Sequence, residues 1–161
     1  MNSKRLWSLT LLLMLLALPA SASMVSFLLV ETGLNEEAPN TQYTSLWEGG
    51  LMAAFFDAGH IVTNSPITRM EKRPTQDFPA EVAEDLNEAA IGGADYFVVG
   101  YLEYRSEGSN VVPVGMALKV YTTDTKKLVY EQGFPAGRGK NLNEEYQFAQ
   151  NAGRTLMSHI K

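Results

Sequence analysis

Two short segments of the chain are apolar on both faces that a strand can present, and they constrain the fold more than any other feature. Residues Met24–Val30 contain one polar side chain, Ser26, and Phe97–Val99 lies within the segment Tyr96–Glu103. A strand with one face in water alternates apolar and polar residues, whereas an uninterrupted apolar run is typical of a strand buried on both faces. We therefore expect both segments to be central strands of a sheet that is covered by helices.

The other predicted elements follow from turn and capping signals. Ser45, with Glu48 three residues later, predicts the start of a helix that ends at Gly59, and Pro79 predicts the first residue of a second helix. The remaining predicted elements are a short strand at His60–Thr63, a hairpin turn at Glu107–Asn110, a strand over Val112–Val120, a second turn at Thr123–Lys126, a returning strand over Leu128–Phe134 and a final helix from near Asn141. Their order, β-α-β-α-β-β-β-α, predicts a single α/β (α+β) domain with a mixed sheet and helices packed on it.

The first 22 residues have the three zones of a cleavable export signal. A short basic region, Lys4–Arg5, precedes the apolar run Leu6–Leu18, and the small residues Ala20–Ala22 follow a proline. The alternative is an uncleaved membrane anchor, but this run is shorter than the ~20 residues that span a bilayer. We expect cleavage after Ala22, no stable membrane insertion afterwards, and a mature domain of residues 23–161 that is periplasmic or secreted.

Charge and composition exclude several classes of function. The chain has 13 basic and 18 acidic residues, two of the basic ones in the signal, so the mature chain has 11 basic against 18 acidic residues and a net charge of −7. Such a chain lacks the clustered Lys and Arg that neutralise phosphates, which excludes general nucleic-acid binding. It has no cysteine, which excludes disulfides, thiol catalysis, thiolate metal sites and acylation on a cysteine.

The sequence predicts no catalytic, cofactor or metal site. Metal sites usually draw on several His, Cys and carboxylate ligands, and the two histidines, His60 and His159, are expected to have structural positions. The Gly-x-Ser-x-Gly pattern of a nucleophile elbow is absent. The acidic pairs Glu36–Glu37 and Glu144–Glu145 lie in a loop and at a helix start, where negative charge is favourable. We therefore expect no enzymatic activity and no cofactor.

The segment Gly133–Lys140 is similar to a phosphate-binding loop because it lies between a predicted strand and a predicted helix. The Walker pattern has four residues between its first glycine and the Gly-Lys pair, whereas this segment has five, and Asn141 replaces the residue that would bind magnesium. Arg138, Lys140 and free amides at the helix start could still hold an anion. The alternative, which we favour, is a flexible connection whose charges are solvated.

Two polar connections are predicted to lie on one rim of the sheet if their strands are parallel. The loop Glu31–Thr41 is longer than a β-α connection requires, and the connection Pro66–Phe78 also follows a strand. Ligands of open α/β sheets usually bind beyond the carboxyl ends of the strands. We therefore predict a partner-binding rim, the alternative being that both loops are simply mobile. The charged residues of this rim are Glu36, Glu37, Arg69, Lys72 and Arg73.

The segment Gly93–Glu103, with the sequence GADYFVVGYLE, resembles the "GADYVVVG" strand of a group of bacterial envelope α/β domains. The turn within Val120–Val129 and the helix Ser45–Ala58 before a short strand are also similar to that group. It includes the periplasmic domain of the curli secretion channel, the lipoprotein activators of penicillin-binding proteins and the amino-terminal domain of the TolB family. The resemblance covers most of residues 24–161 and implies a non-enzymatic domain that binds partners or assembles into envelope machines.

The export signal, the missing catalytic motifs and the resemblance together favour an exported, non-catalytic accessory or protein-interaction domain of the bacterial cell envelope. The expected partner is another envelope protein. The alternative is a periplasmic receptor for a small anionic ligand or a glycan. A closed core with a broad apolar surface patch would favour the first hypothesis, and a deep cleft with convergent polar groups would favour the second or an enzyme.

Overall fold

The computed structural model describes residues 22–34, 42–74, 79–107 and 110–160. Its strands are β1 (Met24–Thr32), β2 (Ile61–Asn64), β3 (Thr68–Met70), β4 (Tyr96–Glu107), β5 (Asn110–Thr122) and β6 (Leu128–Phe134). Its helices are α1 (Gln42–Asp57), α2 (Ala80–Ile91) and α3 (Leu142–Met157). The predicted export signal and the pair Glu36–Glu37 lie outside the described residues. Within the described part of the chain, no helix is long and apolar enough to cross a membrane.

β1 and β4 lie at the centre of a mixed sheet, as their apolar sequences predict. The strand order is β2-β1-β4-β5-β6, and β3 pairs with β1 beyond the end of β2. β1 is parallel to β2, β3 and β4, whereas β5 is antiparallel to both β4 and β6. The predicted α/β class, with a mixed sheet and helices packed on it, is confirmed.

One face of the sheet, which we call the two-helix face, is covered by α1 and α3. Trp47 and Phe55 of α1 and Leu156 of α3 are fully buried in a core that they share with β1, β4 and β5. The two helices meet at small residues, since a Cβ atom added to Gly50 would lie 2.6 Å from the Cβ of Ala149. This close approach of the two backbones allows both helices to bury their inner faces against the sheet.

The opposite face, which we call the one-helix face, is covered by α2. Val82 and Leu86 are fully buried in a second core with Leu28 and other side chains of β1, β4 and β5. α2 has 12 residues, whereas α1 and α3 have 16 each. The connection before α2 also crosses this face, because Arg73 lies over the ring of Tyr101 in β4.

The start of α1 differs from the prediction. The helix begins at Gln42, so Ser45 lies inside the helix and the predicted capping box of Ser45 and Glu48 is wrong. The physical reason is a tertiary contact in the first turn, where the buried Thr44 hydroxyl donates to the carboxylate of Glu31. The capping prediction for α3 is confirmed, since the side chain of Asn141 accepts the backbone N–H of Glu144.

Part of the predicted connection Pro66–Phe78 is a strand. β3 lies within it and pairs with the last residues of β1, with Arg69 opposite Glu31. Three residues are too few to show an alternating pattern, so this strand has no periodic signal in the sequence. Pro79 is the N-cap residue of α2, so the helix begins at Ala80, one position after the predicted start.

The two ends of the sheet are built differently. β6 runs parallel to β1 and β3. The loops after these three strands therefore leave the sheet at the same end, where the β4–β5 hairpin also projects. We call this the hairpin end. The base of the hairpin, where Tyr104 pairs with Pro113, is flanked by Gly33 and Gly137, whose φ angles are 81° and 70°. A Cβ atom at either glycine would overlap a carbonyl oxygen of that base. The opposite end, which we call the turn end, contains the turns before β4 and after β5.

Candidate interaction surface at the hairpin end

Glu31 is a buried acid near the carboxyl end of β1, and its side chain is only 5% exposed. The hydroxyl of Thr44 donates to its Oε1 at 2.6 Å, and Arg69 donates Nε and Nη2 to its Oε2 at 3.1 and 2.7 Å. The Thr44 hydroxyl also lies 2.7 Å from the hydroxyl of Tyr104. One carboxylate therefore connects β1, β3 and α1, and through Thr44 it connects β4 as well.

Glu145 is a second buried acid, in the first turn of α3, and it is 1% exposed. Its Oε1 accepts the indole N–H of Trp47 at 2.8 Å and the backbone N–H of Gly137 at 2.7 Å, and its Oε2 accepts the backbone N–H of Gly139 at 2.9 Å. A hydrogen bond to a charged group contributes about 1.5 to 3 kcal/mol. These three bonds therefore hold the loop between β6 and α3 against α1.

The backbone amides of the loop between β6 and α3 are arranged to bind an anion, and that anion is the carboxylate of Glu145 in the following helix. The amides of Gly137 and Gly139, which could hold an external phosphate or carboxylate, both donate to Glu145. The side chains of Arg138 and Lys140 are exposed. These two loop amides are thus already occupied, while the side chains of Arg138 and Lys140 remain in solvent.

The described cations of the predicted rim have different surroundings. Arg69 turns towards the two-helix face, where it pairs with Glu31 at 2.7 Å. Lys72 is exposed in the connection that follows β3. Glu36 and Glu37 belong to the segment outside the described residues. Arg69 is therefore an inward cation of the rim and Lys72 an outward one, while Arg73 lies over Tyr101 on the one-helix face.

Arg73 belongs to a charged group on the one-helix face. Its guanidinium lies 2.7 Å from Oε1 of Glu131 and 5.5 Å from the centre of the Tyr101 ring, while Nζ of Lys119 lies 3.7 Å from Oε2 of Glu131. The side chains of Arg73 and Glu131 are 42% and 39% exposed. An ion pair this accessible contributes about 0 to 1 kcal/mol, so this group remains part of the hydrated surface.

The hairpin end presents charges of both signs to solvent while its two buried acids face inward. A general acid or base must reach the proton that it transfers to or from a substrate, and Glu31 and Glu145 instead accept hydrogen bonds from the chain's own buried donors. Interspersed exposed charges are suited to electrostatic complementarity with a protein partner. The exposed charged residues at this end include Glu71, Lys72, Glu103, Arg105, Glu107, Arg138 and Lys140.

Both histidines pack against aromatic rings. The ring centre of His60 lies 5.7 Å from that of Phe55, and His159 stacks on Tyr130 with ring centres 3.8 Å apart. Nδ1 of His60 is buried and has no hydrogen-bond partner within the described part of the chain. Across that same part, no three His, Cys, Asp or Glu side chains are grouped as metal ligands.

The turn end carries an open depression of about 400 Å³, lined by residues 93–96 and 122–124. Asp95 is its best-ordered polar group, because its carboxylate accepts the backbone N–H of Met24 at 2.8 Å. The carboxylate of Asp124 accepts the backbone N–H of Thr125 at 2.6 Å. The depression is shallow and acidic, in contrast to the deep cleft with convergent polar groups that a small-molecule receptor would require.

Sequence reasoning did not identify the partners of the buried acids. It assigned Glu145 to the helix dipole, and it gave Thr44, Trp47 and Tyr104 no role in binding an acid. The one available signal was the similarity of the loop before α3 to a phosphate-binding loop, although the sequence favoured a flexible connection there. The sequence could not indicate that the anion is Glu145, because its partner Trp47 is 98 positions away in the chain.

A scan against protein-family models and a search of curated proteins found no match. Among solved structures, a PelC dodecamer from Paraburkholderia phytofirmans is similar over 84% of this chain and 87% of that chain, at 15% sequence identity and a TM-score of 0.51. TolB from Acinetobacter baumannii matches at 11% identity, 88% of this chain, 28% of that chain and a TM-score of 0.40. The LpoB C-terminal domain from Escherichia coli matches at 14% identity, 77% of this chain, 90% of that chain and a TM-score of 0.41. The predicted resemblance to envelope α/β domains is confirmed, and at these identities it is a likeness of fold.

Proposed function

We propose that this chain is an exported, non-catalytic protein-interaction domain of the bacterial cell envelope, released into the periplasm by cleavage after Ala22. The observation that carries the proposal is that Glu31 and Glu145 bind the chain's own donors. Both acids lie at the end of the sheet where open α/β domains usually bind ligands, yet both hold loops and helices together. The accessible part of that end is a charged surface, which fits a protein partner better than it fits a reaction.

The shared fold supports the same class of function. The PelC structure is a dodecamer, so a chain with this fold can build a protein assembly through its surface. Fold alone does not determine function, so the contact surface has to follow from the residues of this chain.

The proposed contact surface is the rim formed by Glu36, Glu37, Arg69, Lys72 and Arg73. Lys72 is its exposed cation, whereas Arg69 and Arg73 each bind an acid of this chain and give the rim a fixed support. Rim charges act mainly on the association rate and on the choice of partner, because they stay close to solvent. Lys72 is therefore the most suitable position for an experiment on this surface.

A photo-crosslinking amino acid at position 72, in protein exported by living cells, tests this surface. The matched control carries the same amino acid in place of Lys127, an exposed residue at the turn end. We expect discrete adducts with an envelope protein from position 72 and none of these adducts from position 127. The same adducts from both positions, or none from position 72, would contradict the proposed surface.

The export step has its own test, which is the mass of the protein recovered from the periplasm. The proposal requires a chain whose first residue is Ser23. An exported pool that still begins at Met1 would show that the first 22 residues act as an anchor.

The alternative, a receptor for a small anionic ligand or a glycan, has less support from the described residues. The backbone amides best suited to an anion donate to Glu145, and the depression at the turn end is lined by acidic side chains. Arg138 and Lys140 are exposed on either side of the occupied amides, so they would have to bind such a ligand from solvent.

A further inference from the structure

We propose that the outer edge of β6 is a docking site for an extended, acidic segment of another protein, which joins the six-stranded sheet as a further strand. The site is separate from the rim of the proposed function. It lies along the edge formed by β6, whereas the rim follows the ends of β1 and β3. The domain therefore gains a second contact surface, which binds its partner through the backbone.

β6 is an open edge of the sheet. Within the described part of the chain, it pairs with β5 alone, from Leu128 to Phe134. Alternate residues of such a strand point their N–H and C=O groups away from the sheet, where an added strand can bind them. β6 continues for seven residues without a proline, so it can pair with an extended segment over roughly 20 Å.

The opposite edge of the sheet is less suited to strand addition. β2 has four residues and β3 has three. They pair with successive parts of β1, and Pro66 lies in the connection between them. Short strands and prolines are features that protect a sheet edge against an incoming strand. The longer and uninterrupted edge is therefore that of β6.

The side chains of β6 leave room beside the edge. Its one charged residue, Glu131, is bound on the one-helix face by Arg73 at 2.7 Å and by Lys119 at 3.7 Å. Val129, two positions before it, is 41% exposed, and a Cβ atom at Gly133, two positions after it, would meet open space. An added strand therefore finds an apolar side chain and a gap to pack against, and its approach is not blocked by a free charge of β6.

The charge of this edge selects the kind of segment that binds. Residues Lys119–Lys140, which include β6 and both of its ends, have five basic and two acidic residues, a net charge of +3. The mature chain has 11 basic and 18 acidic residues, so its remainder has six basic and 16 acidic residues, a net charge of −10. An acidic segment is attracted to the one basic stretch of an otherwise acidic chain. Four exposed cations flank β6, two before it and two after it: Lys126, Lys127, Arg138 and Lys140.

The same charges disfavour a second copy of this chain as the occupant. Two β6 edges that pair with each other bring one net charge of +3 against another. Lysines beside an edge strand are a common protection against such self-association. A segment with acidic residues at both ends and alternating apolar residues between them instead matches β6 in charge and in pleat.

A synthetic probe tests the site on the exported chain, purified from the periplasm. The probe is the end-blocked peptide DEVTVTVDE, and its matched control is KKVTVTVKK. We expect the acidic probe to slow amide hydrogen exchange, followed by NMR, at alternate residues of β6, because their outward N–H groups gain acceptors. The lysine peptide should not slow it.

Three outcomes of this measurement would overturn the proposal. The first is exchange at β6 that the acidic probe leaves unchanged, and the second is equal protection by both peptides. The third is protection of the same β6 residues in the chain alone as its concentration rises, which would make a second copy the occupant.

A pair of charge reversals tests the selection by charge. Arg138→Glu with Lys140→Glu should weaken binding of the acidic probe about tenfold. The matched control, Arg105→Glu with Arg154→Glu, changes the net charge equally outside Lys119–Lys140 and should weaken binding no more than about twofold. All four side chains are exposed, and urea denaturation checks that both variants fold. Equal weakening in the two variants would overturn the assignment of the cations beside β6.

Discussion

The two faces of the sheet use charged side chains in opposite ways. In the layer on the two-helix face, Glu31 and Glu145 are buried, and each accepts at least three hydrogen bonds. On the one-helix face, Glu131 is 39% exposed and is shared by Arg73 and Lys119. A buried charge that loses its partner destabilises the fold by several kcal/mol, whereas an accessible pair contributes about 0 to 1 kcal/mol. The first face should therefore depend on its charges for folding, whereas the accessible Arg73–Glu131 pair of the second should contribute little.

The largest expected effect is that of Glu145→Ala. Truncation leaves the indole N–H of Trp47 and the amides of Gly137 and Gly139 without their acceptor in a buried layer, so we expect a loss of about 3 kcal/mol in the free energy of unfolding. Urea denaturation measures this loss. The matched control is Glu144→Ala, whose carboxylate accepts an exposed amide and whose loss should be less than about 1 kcal/mol. Equal losses in the two variants would contradict the expectation that the buried carboxylate matters more than the accessible one.

Arg69→Ala is expected to have the next largest effect. It leaves Glu31 buried with the Thr44 hydroxyl but without its cation, and we expect a loss of about 2 kcal/mol, since the arginine side chain is 22% exposed. Arg69→Lys, which keeps the charge but cannot donate through the two nitrogens of a guanidinium, should lose about half as much. Thermal and urea unfolding of both variants measure the effect. Wild-type stability in Arg69→Ala would show that the buried pair is not structural.

The helix pair of the two-helix face gives a third test, at two adjacent glycines. A Cβ atom at Gly50 would lie 2.6 Å from the Cβ of Ala149, so Gly50→Ala must separate the helices and should cost about 1 to 2 kcal/mol. At Gly49 the nearest atom is the Cε2 of Tyr146 at 3.8 Å, so Gly49→Ala should stabilise the helix by about 0.5 to 1 kcal/mol. We expect the two substitutions to change the free energy of unfolding in opposite directions. Stabilisation by both substitutions would mean that α1 and α3 do not pack closely.

The smallest expected effect is that of Arg73→Ala on the one-helix face. The pair with Glu131 is accessible on both sides, so the free energy of unfolding should change by less than about 0.5 kcal/mol, and the small difference should shrink further in 0.5 M salt. Urea denaturation at low and high salt measures this change. A loss as large as that of Arg69→Ala would remove the distinction between the two faces.

The sequence predicted the elements whose pattern is local. The strands β1 and β4 were predicted because short apolar runs rich in branched and aromatic residues are typical of buried strands. The start of α3 was predicted because Asn141 and Glu144 form a local capping pair. β3 was missed because three residues carry no periodicity, and it exists because Arg69 lies opposite Glu31 along the edge of β1. The start of α1 was misplaced for the same reason, since Thr44 is fixed by a residue in another element.

Local sequence predicted even less about the contacts of the candidate site. Composition and missing motifs led to the prediction of a non-catalytic domain, but they did not distinguish inward charges from outward ones. Arg69 and Lys72 are close in sequence, and only the fold shows that the first is paired with a buried acid while the second is exposed. Burial of a charged group is decided by long-range packing, so local sequence carries little information about it.

We expect the inward charges of the hairpin end to stabilise the fold and its outward charges to bind a partner. One experiment on two variants tests both expectations. Lys72→Glu and the control Lys127→Glu are exported from cells with a photo-crosslinker in place of Ser106, an exposed residue of the projecting hairpin. Adduct yield and the free energy of unfolding are then measured on the same two variants. We expect both to keep wild-type stability within about 0.5 kcal/mol and Lys72→Glu alone to lose the adduct. Wild-type adduct yield from a stably folded Lys72→Glu would contradict the account.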